Sequence, residues 1–192
     1  MIITTPAPES AEGHVAAMYA GDIETDGFVY AHRRAMAVNP EAHAAFEDLI
    51  HAIVPSIGAR TYELVTLAAA GAIGSAHCLL AHGRHALRTG VIDEEELVRL
   101  ARDPDDAGLS PADLAVMHYA ARLSTDAGEM TDADSQALRD VGFTDRQIVD
   151  ITLAAAARNY FSRALLALSV DVDDVPGLTG RVTDALLSPL TR

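Results

Sequence analysis

The 192-residue chain has no lysine, no tryptophan and a single cysteine. Without a side-chain amine it can form no Schiff base and no lysine-bound pyridoxal, so those reaction classes are excluded. One cysteine excludes an internal disulfide framework. Aromatic residues make up only 5% of the chain, so its 49% apolar content must pack largely through alanine and aliphatic side chains. Positive charge is also scarce: 14 arginines face 28 acidic residues, a net charge of −14. Such a chain lacks the basic face that nucleic acid requires, and an anionic membrane surface would repel it. The opening "MIITTPAPESAEG" has no basic segment followed by an apolar run, so no secretory signal is expected and a cytoplasmic location follows. The longest weakly polar run, residues 64–81, is rich in alanine and glycine and contains Ser75, His77 and Cys78. It is expected to be a buried helical hairpin rather than a membrane span.

What the chain does have is helical periodicity throughout. Alanine has the best helix propensity and lets helices approach closely, so the expected fold is all-α, a multihelical bundle in a single domain over 1–192. An irregular arm is expected over 1–9 and a C-terminal arm over about 171–192. Between them the punctuation predicts helices over 10–20, 27–38, 40–54, 59–73, 75–89, 94–102, 111–127, 131–142 and 145–169, and a short amphipathic helix near 179–188. Asp93 with Glu96 and Thr144 with Gln147 form capping-box patterns. The segment beginning at Glu63 echoes the one beginning at Gln147 in apolar pattern, as alanine-rich helices also do by chance.

The stretch "IGSAHCLLAHGRHA", residues 73–86, concentrates the chemistry. On a helix over 75–89, Cys78, His82 and His85 are spaced i, i+4 and i+7 and share a face. Cys78 falls in the first turn, where free N–H groups and the helix dipole favour an anion. A helix start with a neighbouring histidine is the setting that favours thiolate over thiol. If the glycines at 71 and 74 fold the chain back, Glu63 and His82 are offset by only about three residues, roughly 4.5 Å along the axes. Helices packed about 8–10 Å apart then let them meet. The expected centre is a carboxylate–imidazole–thiol chain: Glu63 orients His82, and His82 takes the Cys78 proton through a sulfur–imidazole hydrogen bond.

Glu63, Ser75, His77, Cys78 and His82 together resemble the AhpD-like alkylhydroperoxidase group of the carboxymuconolactone decarboxylase superfamily. That group carries Glu and then Cys-x-x-Cys-x-x-x-His. The resemblance extends to "GFTDRQIVDITLAAAARNYFSRALLAL", which looks like the family's closing helix with its Asn/Arg element at Asn159 and Arg163. It implies an all-α AhpD-like fold, homo-oligomers (dimer, trimer or hexamer) and thiol peroxidase chemistry. Ser75 stands where the first cysteine of the pair would be, so a two-cysteine cycle within one chain is impossible. The expected route oxidises Cys78 to a sulfenic acid, which an external thiol reductant restores. Cys78, His82 and Glu63 are the candidate catalytic residues. Ser75, capping the helix or hydrogen-bonding the sulfur, and His77 are supporting residues of the pocket. The histidines at 14, 32, 43, 51 and 118 read as structural, and His85 as a surface or interface residue.

No cofactor is expected. A zinc site on Cys78, His82, His85 and Glu63 lacks the second ligand pair that structural zinc usually has, so no metal is expected either. The expected partners are a small-molecule hydroperoxide, or an organic acid if the chemistry is decarboxylase-like or isomerase-like. A non-catalytic helical oligomer that keeps the fold is the remaining alternative.

Overall fold

A computed structural model describes residues 1–191 and contains ten α-helices and no strand among them. In chain order they are α1 (Gly13–Asp26), α2 (Ala31–Met36), α3 (Pro40–Ile57), α4 (Ala59–Ala72), α5 (Ala76–Thr89), α6 (Glu94–Arg102), α7 (Pro111–Asp126), α8 (Asp132–Asp140), α9 (Asp145–Ala167) and α10 (Gly180–Leu187). The all-α class is as expected. The predicted boundaries from α3 onward fall within about three residues of the observed ones. The first two helices differ more. α1 runs six residues past the expected Ala20, to a left-handed Gly27 at φ 82°. α2 is confined to Ala31–Met36, because 27–30 are irregular, from the left-handed Gly27 to an extended Tyr30. Pro55 does not end α3; the helix continues one turn to Ile57 and stops at Gly58, whose N–H closes on the Val54 carbonyl.

α4 is the inner helix. α4 buries Tyr62, Glu63, Leu64, Val65, Thr66, Leu67, Ala69 and Ala70, nearly its whole circumference, as a helix enclosed by neighbours must. α3, α5, α7 and α9 all pack against it. The two segments that echo each other in sequence lie on α4 and α9, which pack against each other.

The chain doubles back between α4 and α5. The Ser75 N–H bonds the Ala70 carbonyl at 2.9 Å, and Gly74 supplies the left-handed residue at φ 75°. This is a glycine-terminated helix end turning straight into the next helix start. No helix among the described residues is long and apolar enough to cross a membrane. Further on, α10 returns to lie against α5 and α6. It approaches so closely at Gly83 that an added Cβ would stand 2.6 Å from Leu186 Cδ1.

Candidate active site

The hairpin brings Glu63 on α4 to His82 on α5, with Nδ1 2.8 Å from Oε2. A carboxylate can only accept here, so Nδ1 carries the proton and Nε2 is left as the basic nitrogen. Glu63 is only 2% exposed. Its other oxygen lies 3.8 Å from Nε2 of His85, a half-exposed side chain that flanks the carboxylate. Tyr62 sets its ring edge against His82 at 5.9 Å. Burial, reinforced by the nearby Arg158 guanidinium, holds His82 below the usual imidazole range in spite of Glu63. The imidazole is therefore neutral and able to take a proton at neutral pH.

Cys78 is the third residue of α5 and 2% exposed. Its sulfur departs from the expected arrangement. It makes no hydrogen bond to His82; its partners come from α9, with Ser162 Oγ at 3.1 Å and Arg158 Nη1 at 3.5 Å. The physical reason is that His82 turns toward the carboxylate on α4, while α9 packs a guanidinium and a hydroxyl, four residues apart, against the sulfur. Arg158 is 4% exposed and forms no ion pair with a carboxylate among the described residues. Its other terminal nitrogen donates to the Tyr62 hydroxyl at 3.1 Å, and its Nε is buried without a partner. Burial works against its charge, but Cys78 and Tyr62 outweigh that and raise the Arg158 pKa.

Asn159 and Arg163, the Asn/Arg element of the resemblance, form no hydrogen bond to the sulfur among the described residues. Arg163 reaches back to the Ser124 carbonyl on α7, and it is Arg158 and Ser162 that meet the sulfur. Ser75 also differs from expectation. It occupies the residue before α5, but its Oγ neither caps the helix nor reaches the sulfur, and is buried without a hydrogen-bond partner. The places it was expected to take are filled by the backbone turn at Ala70 and by Ser162.

These groups surround a cavity of about 250 Å³. Its lining includes Cys78, His82, His77, Tyr62 and Arg158 together with the apolar Phe46, Ile50, Phe161 and Leu165. His77 does line the cavity, with Nε2 donating to the Val170 carbonyl at 2.7 Å. Three histidines read as structural, His32, His43 and His51, also face this cavity. On α3 the signal was available in part: His43, Glu47 and His51 share their helix face with Phe46 and Ile50, polar groups set among residues that otherwise mark a core. For His32, on a six-residue helix, no spacing signal exists. Arg33 ties the rim together, donating to Asp22 at 3.0 Å and to Glu47 at 2.9 Å. Among the described residues, no three His, Cys, Asp or Glu side chains converge closely enough to hold a metal ion.

Comparison with known proteins agrees with this architecture. Residues 40–122 match the carboxymuconolactone decarboxylase family. Among solved structures, the chain is similar to an alkylhydroperoxidase AhpD core, an uncharacterized peroxidase-related protein from Ralstonia eutropha JMP134. They share 22% identity at a TM-score of 0.77, over 90% of this chain and 92% of that one. A peroxidase-related protein from Silicibacter sp. TM1040 gives 20% identity and a TM-score of 0.69, over 90% and 92% of the two chains. The debrominase Bmp8, in a cysteine-to-alanine variant bound to 2,3,4-tribromopyrrole, gives 18% identity and a TM-score of 0.74, over 97% and 96%. No curated protein matches the sequence. Residues 40–122 thus match the carboxymuconolactone decarboxylase family model, and the chain carrying them has the AhpD-like fold.

Proposed function

We propose that the protein reduces hydroperoxides at Cys78 with an external thiol as reductant, Glu63 and His82 moving the proton. The observation that carries this reading is a sulfur lining a cavity, held by Arg158 and Ser162, with a neutral imidazole buttressed by a carboxylate lining the same cavity. A buried structural thiol has no use for a guanidinium without a carboxylate of its own, because burying an unpaired charge is costly. A sulfur that must carry negative charge does.

The steps balance as follows. The thiol proton passes to His82 Nε2 through a cavity water or the substrate hydroxyl, since sulfur and imidazole do not touch. The thiolate attacks the distal oxygen of R–O–O–H; an S–O bond forms as the O–O bond breaks, and sulfur gives up two electrons. The alkoxide recovers the proton from the His82 imidazolium and leaves as R–OH, with Cys78 as sulfenic acid. One external thiol displaces water to form a mixed disulfide, and a second releases Cys78 and carries away a disulfide.

A second reading rests on a specific feature. Arg158 could pair with the carboxylate of a small organic acid, as decarboxylase-like or isomerase-like chemistry would need. One experiment separates the two. Intact mass of the protein after one equivalent of hydroperoxide should rise by one oxygen on Cys78, and Cys78→Ser should abolish both that and peroxide consumption. Peroxide turnover that survives Cys78→Ser would overturn the thiol mechanism. Turnover of an organic acid that needs Glu63 and His82 but not Cys78 would establish the second reading.

The same proposal includes a cytoplasmic homo-oligomer. Val149, Leu153 and Tyr160 on α9 are 53%, 41% and 58% exposed along one helix stripe, an apolar face that a second copy would cover. Light scattering that gives a monomer at micromolar concentration would end that part of it.

A further inference from the structure

Five histidines line the cavity; His43 meets Arg33 and His51 is exposed, which leaves three, and two of those are already engaged. His82 is bound by Glu63 and His77 by the Val170 carbonyl. The third, His32, makes no hydrogen bond among the described residues, and its ring nitrogens are not sealed off, since the buried unpaired atoms do not include them. The side chain lines both the cavity that holds Cys78 and a smaller one, also lined by His82, Arg84 and Arg88.

The ring is nevertheless held in place. It lies 4.9 Å from Tyr30 and meets Phe161 edge-on at 5.9 Å, centroid to centroid. The short helix that carries it is anchored at its start. Asp173 accepts the Ala31 N–H at 2.9 Å, and Asp22 accepts the Tyr30 N–H at 3.4 Å. A partly buried polar ring fixed by stacking, anchored on both sides and left without a protein partner, is arranged for a partner that is not protein.

The geometry points to His32 as a substrate-contacting residue, the hydrogen-bond donor to the oxygen that leaves sulfur's target. This rests on the hydroperoxide reading of the site. As the O–O bond breaks, negative charge grows on the alkoxide oxygen, and a donor already aimed there stabilises it without reorganising. His32 loses no proton in the step; the alkoxide is protonated by His82. The electrostatics suit that role. Burial, with Arg33, His77, Arg158 and His82 as the charged and titratable neighbours, holds His32 well below the ordinary imidazole range. It therefore stays neutral and adds no second imidazolium beside Arg158.

The test is the single-turnover rate of Cys78 oxidation by an alkyl hydroperoxide, followed by intact mass, with no reductant present. His32→Phe keeps an aromatic ring between Tyr30 and Phe161 and removes the donor. His32→Gln restores a donor. Carbamidomethylation of Cys78 by iodoacetamide, which releases iodide and forms no alkoxide, reports the sulfur alone. The expected result is oxidation slowed about 10²-fold in His32→Phe, the usual effect of removing one such donor. His32→Gln should recover part of the rate, and carbamidomethylation should be unchanged in both. Oxidation as fast in His32→Phe as in the parent overturns the assignment while leaving the hydroperoxide reading intact. So does an equal loss of carbamidomethylation, which marks a merely structural role. A parent protein whose Cys78 ignores the hydroperoxide overturns both.

Discussion

The α4–α5 hairpin separates two cavities of similar size. On one side about 250 Å³ is lined in part by Cys78, His82, Tyr62 and Arg158. On the other, about 300 Å³ is lined mostly by apolar residues such as Leu67, Leu79, Leu100, Met117 and Leu186, with Arg102 and His118 as its ionisable groups. The same two helices supply both walls. Residues pointing one way on α4 and α5 bury ionisable groups, and residues pointing the other way bury methyl groups. Size therefore says little about which cavity carries chemistry. The distinguishing mark is charge kept out of water at an energetic cost that packing alone does not explain.

If that contrast is real, substitutions on the two faces should dissociate. On the polar face, Glu63→Gln frees the His82 tautomer and weakens its basicity. Peroxide turnover should fall by about 10²–10⁴-fold, the range for a disabled acid–base group, while circular dichroism stays helical. Arg158→Met is the sharper case. It removes a buried cation without stranding a carboxylate, so turnover should fall by about 10²-fold or more while thermal stability holds or rises. On the apolar face, Leu67→Ala, at a residue 3% exposed, should do the opposite. Unfolding by urea should show a loss of about 2–5 kcal/mol with turnover intact. A Leu67→Ala variant that kept its stability and lost its turnover would erase the distinction between the faces.

The smallest expected effect is on stability against pH. His32, His43 and His82 are all held below the ordinary imidazole range, burial being the largest cause in each. Above about pH 6.5 these rings are neutral in both folded and unfolded chains and contribute nothing to the difference. Below it the unfolded chain binds protons that the folded one refuses, so stability falls as pH drops from about 6.5 toward the folded values. Each histidine contributes up to about 1.4 kcal/mol per pH unit to that slope. Urea midpoints at pH 7.5 and 5.5 should differ accordingly, and less so in His82→Phe. Equal midpoints would mean that these rings are hydrated in the folded state.

Half of this site was legible in the sequence and half was not, for a physical reason. Glu63, Cys78 and His82 lie within twenty residues, and the glycines at 71 and 74 announce the fold-back that aligns them. Helical spacing and rise per residue then fix the meeting of acid and imidazole. Arg158 and Ser162 lie 80 and 84 residues beyond the cysteine, and only the register of α9 against α4 and α5 brings them to it. That helix is so rich in alanine that its pattern marks no preferred face. A rotation of one residue is invisible in sequence, and it is the step that separates Asn159 and Arg163 from Arg158 and Ser162. His32 was hidden for a related reason: its helix is too short for periodicity, and its position depends on Asp22 and Asp173, which come from opposite ends of the chain. The sulfur–imidazole contact was inferred correctly for shared face and wrongly for bonding, because side-chain direction was set by neighbours on other helices.

The central claim is that Cys78, though buried, is a nucleophile held ready by α9 rather than a small hydrophobe of the core. The rate of Cys78 carbamidomethylation at pH 7, under conditions where the helices remain folded, tests it in the parent and in Arg158→Met side by side. The account predicts modification of the native parent and a rate at least tenfold lower in the variant. A sulfur that reacts only as fast as the protein unfolds, at the same rate in both, would contradict it.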